Sequence, residues 1–298
     1  MLTSLVTRNF SKKIKKIGVV GAGQMGTGIA IVGAKVAGLE VKCVDLNESA
    51  LENSNKFVKN WLEKEEGKGR LTADEKYDVL NKMSFSTRLE ELDQTDFVVE
   101  AIIENFDIKK SIFEKLDKIV PEDAILASNT SSLSITKLAS TVPERADKFI
   151  GMHFMNPVPV MKLVEVIKGL QTSPETLQTV LDMAKSMNKI TSTARDIPGF
   201  IANRILIPYI NEAVFALYEG IGTVEDIDIT MKYGTNVPMG PLTLADFIGL
   251  DTVLYIQQIL HTELGDSKYR PCPLLVNYVQ AGYLGRKSGK GFYDYTKK

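Results

Sequence analysis

A chain of 298 residues, 44% hydrophobic and 24% charged, is long enough for two domains and ordinary in composition for a globular protein. Its formal charge of −1 offers no general attraction to nucleic acid or to an anionic membrane, and no apolar run approaches the ~20 residues of a spanning helix. The two cysteines, Cys43 and Cys272, stand far apart, and the two histidines, His153 and His261, form no cluster with them. A disulfide framework and a metal site are therefore not expected, and a reducing compartment fits.

In chain order, the first segment differs from the rest. Met1 to Lys16 carries Arg8, Lys12, Lys13, Lys15 and Lys16 and no acid; the first acid is Glu40. Hydroxyls and apolar residues are interspersed, which is the composition of a mitochondrial transit peptide. Arg8-Asn9-Phe10-Ser11 resembles a matrix-processing site with cleavage after Phe10, so residues 1–11 are expected to be an address to the mitochondrial matrix. A solvated N-terminus is the plainer alternative.

Lys15 to Val20 then reads as a strand running into Gly21-Ala22-Gly23-Gln24-Met25-Gly26, with a helical pattern from Met25 to Ala37 and a second strand, Val41 to Val44, stopping at Asp45. Strand, glycine turn, helix, strand and acid in that order form the dinucleotide-binding fingerprint. Gly21 permits the turn, Gly23 leaves room for a pyrophosphate, and Gly26 lets the helix approach the strand. Asp45 follows Gly26 by 19 residues, where an acid binds ribose hydroxyls and repels a 2′-phosphate, so NAD is expected rather than NADP.

Asn47 to Glu66 reads as a helix with an Asn cap and apolar Ala50, Leu51, Phe57, Val58, Trp61 and Leu62; its charged end runs from Lys64 to Arg70. Thr72 and Glu75 suggest a capping box opening another helix. Strands are expected at 83–86, 95–101, 124–128, 149–154, 163–167 and near Ile190, with helices at 107–120 and 174–187. This alternation predicts a doubly wound, mostly parallel α/β sheet of the Rossmann type. Past Arg195-Asp196-Ile197-Pro198-Gly199 strand patterns nearly vanish, and helices are expected over 200–219, 224–232, 241–248, 251–264 and 274–281. The expected organisation is an address at 1–11, a dinucleotide-binding domain at 12–198 and an all-α domain at 199–298.

Ligands of an open parallel sheet bind beyond the carboxyl ends of its strands. Glu100 and Glu104 follow one such end, with Lys109 on the next helix; Asn129-Thr130-Ser131-Ser132 follow another; His153 and Asn156 close a third. Singly these have duller readings: Ser131 and Ser132 could cap a helix, Lys109 could be a surface lysine, and a lone histidine in an apolar run is often a core residue. Glu165, however, interrupts the apolar strand Leu163 to Ile167, where an unpaired charge is costly. Pairing it with His153 resolves both oddities and makes a general base. A base beside a nicotinamide suggests alcohol oxidation. His261 reads as a helix-surface residue.

Four stretches together resemble the L-3-hydroxyacyl-CoA dehydrogenase family, in its short single-function form: Ala127 to Leu133, His153 to Glu165, Pro198 to Arg204, and Gly285 to Tyr293. The resemblance runs from Lys15 to the end of the chain. It implies that His153 is the base and Glu165 its partner, with Ser131 and Asn203 contacting substrate oxygens. It implies that Glu104, Lys109, Asn156 and Lys287 join the glycine turn and Asp45 around NAD. It also implies a CoA substrate held partly along Asn60 to Arg70, with Lys68 contacting phosphate, and a homodimer formed through the helical domain. Trp61 departs from the family pattern, standing near where some members have serine.

Two alternatives remain open at this level. One is a dehydrogenase of the same fold acting on a free hydroxy acid. The other is a non-catalytic nucleotide-binding protein, against which His153, Glu165, Ser131 and Asn203 argue.

Overall fold

The parallel sheet begins with β1 (Lys16–Val20), a short run buried along nearly its whole length. The computed structural model describes residues 13–296, so the expected address at 1–11 lies outside the described residues. The chain divides into two compact units, Met1–Asp196 and Ile197–Lys298.

In the first unit α1 (Gln24–Lys35) follows β1, then β2 (Glu40–Val44), α2 (Glu48–Gly67), α3 (Ala73–Asn81) and β3 (Met83–Ser86). β4 (Phe97–Glu100), α4 (Phe106–Ile119), β5 (Ile125–Ser128), the short α5 (Ile135–Ala139) and β6 (Phe149–Phe154) come next. β7 (Leu163–Lys168), α6 (Pro174–Ser186) and β8 (Ile190–Arg195) complete it. The sheet order is β3-β2-β1-β4-β5-β6-β7-β8. The chain leaves β1 toward β2 and β3, then returns to place β4 on the other side of β1, so the crevice beyond β1 and β4 is a topological switch point, where ligands of such sheets bind.

Every pairing is parallel except β6 with β7, which is antiparallel. That reversal puts His153 directly opposite Glu165. Strands buried on both faces read as continuous apolar runs, and Phe97, Val98 and Val99 of β4 are wholly buried.

The expected caps are present. Asn47 accepts from the Ser49 and Ala50 amides, and Thr72 and Glu75 form a reciprocal box. The inward stripe of α2 is Leu51, Ser54, Val58 and Leu62. Phe57, expected on that stripe, is 52% exposed because it lies one residue off it. Ser54 holds a core position because its hydroxyl pairs with Thr27 of α1 at 2.7 Å. Cys43 and Cys272 are both buried free thiols, and burial pushes the Cys43 thiol up to about 12.

The second unit holds α7 (Ala202–Tyr218), α8 (Val224–Gly234), α9 (Pro241–Ile248), α10 (Leu250–Leu264) and α11 (Pro273–Gln280). Ile207, Ile210, Val214, Leu242, Val253 and Leu260 lie in its core. Pro208 falls inside α7. His261 is exposed, as expected. Among the described residues no helix is long and apolar enough to cross a membrane, and no group of three metal-binding side chains converges.

Candidate active site

The glycine turn is built by exclusion. Gly21 has φ +108°, and a Cβ on it would lie 2.5 Å from the Ala101 carbonyl oxygen. A Cβ on Gly26 would lie 1.8 Å from the Gly21 oxygen, so α1 can start this close to β1 only without a side chain there. Gly23, the N-cap of α1, is the opposite case: nothing comes within 4 Å of the place its Cβ would take. No acid occupies the first turn of α1. The positive end of the helix thus faces open space at a position stripped of side chain, a cradle that fits a pyrophosphate.

Asp45 is tied to that turn. Its Oδ2 accepts from the Ala22 amide at 2.8 Å and its Oδ1 from the Asn47 amide at 2.9 Å. Beside it Leu46, Leu89, Ile102, Ile108 and Ile112 line an apolar slot. A slot of this kind suits the flat face of an adenine, with Asp45 at its mouth for the ribose hydroxyls. The residues present therefore fit NAD.

Beyond β4 and β5 lies a buried charged network. Glu100, wholly buried, accepts from Lys109 Nζ at 2.5 Å, from Ser128 Oγ at 2.6 Å and from the Ile102 amide at 2.7 Å. Lys109 is wholly buried too, with its ammonium 3.4 Å from Glu104. It is not the surface lysine its sequence setting allowed. Oε1 of Glu104 accepts from Thr130 Oγ1, the Ser131 and Ser132 amides and Ser132 Oγ, all between 2.6 and 3.0 Å. Burial works to raise the Glu104 carboxyl, but Lys109 and these donors together hold it below the ordinary glutamate range. Ser131 is thus fixed through its own amide. The helix-cap reading of Ser131 and Ser132 does not hold, since Ser134 caps α5.

His153 and Glu165 meet across β6 and β7, with Nδ1 2.8 Å from Oε2 and both residues buried. A carboxylate at that distance keeps the ring proton on Nδ1 and the lone pair on Nε2. Asn129 accepts from the Phe154 amide at 2.8 Å, which fixes the strand end next to His153. Asn156 is exposed on the turn that follows.

In the helical unit Asn203 lies in the first turn of α7, and the neighbouring Arg204 stacks 4.6 Å over the Tyr269 ring. The Gly285 to Tyr293 stretch folds as a clasp around Asp246 of α9. Asp246 accepts from the Phe292 and Tyr293 amides at 2.9 Å, and a Cβ on Gly291 would lie 1.9 Å from its Oδ1. Burial raises the Asp246 carboxyl, against the pull of its donors. Lys287, carried by this clasp, pairs with Asp251 at 2.5 Å. Lys68 is 57% exposed, and it gathers with Lys35 and Arg70 around Glu65 at 3.6–3.8 Å. Trp61 is half-buried under the Lys35 ammonium at 4.7 Å.

Two residues of this region carry no readable signal in the sequence. Gly28 looks like an ordinary helix residue, yet a Cβ there would lie 2.8 Å from Val158 Cβ. Lys189 precedes a strand, where a lysine is usually solvated, and is only 9% exposed.

Residues 16–197 match the model of the 3-hydroxyacyl-CoA dehydrogenase NAD-binding domain, and residues 199–295 match that of the 3-hydroxyacyl-CoA dehydrogenase C-terminal domain. The chain is 55% identical over 286 residues to "Probable 3-hydroxybutyryl-CoA dehydrogenase" of Bacillus subtilis, covering 96% of this chain and 99% of that one. It is 43% identical over 290 residues to the mitochondrial hydroxyacyl-coenzyme A dehydrogenase of Mus musculus, covering 95% and 91%. The crystal structure of (S)-3-hydroxybutyryl-CoA dehydrogenase from Ralstonia eutropha superposes with a TM-score of 0.93 at 50% identity, covering 96% of this chain and 100% of that one.

Proposed function

This chain belongs to the 3-hydroxyacyl-CoA dehydrogenase family, and on that premise we propose that it interconverts an L-3-hydroxyacyl-CoA and the corresponding 3-ketoacyl-CoA, as in fatty-acid β-oxidation. The observation that carries the mechanism is the buried His153–Glu165 pair at the carboxyl end of β6. Nε2 of His153 takes the hydroxyl proton as the carbinol carbon becomes a carbonyl. Glu165 holds the ring in the tautomer that can accept it, then stabilises the imidazolium. NAD, when bound, supplies the hydride acceptor. In reduction His153 returns the proton to the alkoxide oxygen.

Gly21, Ala22, Gly23, Gln24, Met25 and Gly26 are the proposed seat of the pyrophosphate, and Asp45 that of the adenosine ribose. Glu104, Asn156 and Lys287 are the further proposed cofactor contacts, with Lys109 acting from behind Glu104. Ser131 and Asn203 are the proposed contacts to substrate oxygens, and Lys68 to CoA phosphate. His153→Ala tests the assignment: turnover of acetoacetyl-CoA with NADH should fall ~10²–10⁴-fold while NADH binding persists. Near-normal turnover by that variant would sink the mechanism. Free 3-hydroxybutyrate serves as the second substrate; equal rates with and without CoA would favour a free-acid dehydrogenase.

The same reading extends to place and assembly. The acid-free, basic segment before the family-matched residues, together with a mitochondrial relative, supports delivery to the mitochondrial matrix. A mature cellular protein that retains Met1 to Phe10 would refute it. Ile205, Ile221, Ile229 and Tyr233 are more than half exposed on the helical unit, which supports its use as a homodimer interface. Light scattering that gives a monomer at micromolar concentration would exclude that.

A further inference from the structure

Between α6 and β8 the chain turns at Asn188, with φ +56°, and Lys189 goes inward while Ile190 is 64% exposed. That inverts what the two side chains would do in solvent. The Lys189 ammonium donates to the Val158 carbonyl at 2.5 Å and to the Met161 carbonyl at 2.7 Å. Among the described residues no carboxylate pairs with it. A buried ammonium held by carbonyls alone is costly, and burial lowers its proton affinity accordingly. A methionine would fill the space without that cost, so the charge needs another explanation.

The two carbonyls belong to the turn joining β6 to β7. Within that turn the Val160 and Met161 amides both donate to the Pro157 oxygen, at 3.0 and 2.9 Å. Its strands carry His153 and Glu165, and Asn156 opens it. Beside it the Ile190 amide donates to the Lys162 oxygen at 2.8 Å, continuing the β7–β8 pairing. From the other side Val158, 2% exposed, sits against the bare backbone of Gly28 in α1, the helix that begins at the glycine turn. The turn is thus wedged between the cofactor helix and one buried cation.

We propose that Lys189 is a positioning residue for the reaction: its ammonium fixes the 157–161 turn and so sets the reach of Asn156 and the alignment of the His153–Glu165 pair against the dinucleotide turn. This rests on the function proposed above. A misplacement of about 1 Å can cost ~10²-fold in rate.

The test is Lys189→Met, which keeps the stem and removes the donors, alongside Gly28→Ala, which presses on the same turn from the opposite side. In each, kcat with acetoacetyl-CoA should fall roughly 10- to 100-fold and KM for NADH should rise, with KM for acetoacetyl-CoA unchanged. Hydrogen exchange at the Val160 and Met161 amides should quicken about tenfold or more in Lys189→Met. A purely structural lysine gives a different pattern: activity scaled to the folded fraction, with both KM values as in the wild type. That pattern, or wild-type kinetics in Lys189→Met, overturns the proposal. If Lys189→Met does not fold, Lys189→Gln, which removes the charge, takes its place, and unchanged kinetics and amide exchange there overturn the proposal. If the wild type binds NADH but turns over no acyl-CoA, the proposed function fails. The clamp is then judged by NADH titration and amide exchange, and unchanged values in Lys189→Met overturn it.

Discussion

Replacing Glu165 with glutamine isolates the charge of the buried pair. A glutamine carbonyl in place of Oε2 still accepts the Nδ1 proton across 2.8 Å, so the tautomer and ring pose persist. On the proposed mechanism, what disappears is the attraction between a carboxylate and the imidazolium formed once His153 takes its proton. A hydrogen bond to a charged group contributes about 1.5–3 kcal/mol. Coulomb's law with charge centres ~4 Å apart and an effective dielectric constant of ~20 gives about 4 kcal/mol. Since ~1.4 kcal/mol is tenfold in rate, Glu165→Gln should oxidise 3-hydroxybutyryl-CoA roughly 10- to 1000-fold more slowly. The assay is steady-state NADH formation, paired with a fluorescence titration of NADH that should give the wild-type affinity, because Glu165 lies behind the histidine. Glu165→Ala, which removes acceptor and charge together, should be slower still. A Glu165→Gln enzyme that keeps wild-type turnover would refute the reasoning, since it would show that no imidazolium in need of a counter-charge forms.

Gly26→Ala should bind NADH at least about tenfold more weakly and lose about 1–3 kcal/mol of stability, because its Cβ would fall 1.8 Å from the Gly21 oxygen; an NADH titration and urea unfolding check both. Asp45→Ala should weaken NADH roughly 10- to 100-fold, by loss of charge-assisted hydrogen bonds worth about 1.5–3 kcal/mol, and should bring NADPH closer to NADH as a substrate; an unaltered preference would remove Asp45 from the ribose site. The Glu104 carboxyl is depressed in the folded state, so the stability it contributes is fully present above its unfolded value, near ~4.3, and is lost as the pH falls through the lower folded value. Glu104→Gln should therefore flatten the fall in urea midpoint below about pH 4, and parallel wild-type and variant curves would contradict this.

Much of the fold was legible because its signals are local. The glycine turn, the Asn47 cap and the Thr72–Glu75 box each occupy a few adjacent residues, and strands buried on both faces announce themselves as apolar runs. The His153–Glu165 pair was legible for another reason: a charge inside an apolar strand requires a partner, and the sequence offers few. What escaped depends on contacts between distant segments. Nothing near Lys109 says that it turns inward, because Glu100 and Glu104 reach it only after β4 and α4 have packed. Lys189 and Gly28 matter through one turn that separates them in sequence, and Phe57 was misplaced by a single residue of helical phase. The second role of Glu104, as acceptor for the Ser131 and Ser132 amides, depends on β5 ending beside β4.

The antiparallel join of β6 and β7 has a consequence for how this chemistry can be moved. In the rest of the sheet neighbouring strands are linked through helices, and two residues facing each other come from distant parts of the chain. Here one hairpin of twenty residues, Phe149 to Lys168, contains both members of the proposed proton-accepting pair, His153 and Glu165, in a register set by its own ladder. It is a cassette. Its ends could be spliced into another sheet of matching twist without redesigning the rest of that protein, provided the host supplies two things: a glycine in the facing helix to admit Val158, and a buried cation to tie down the turn.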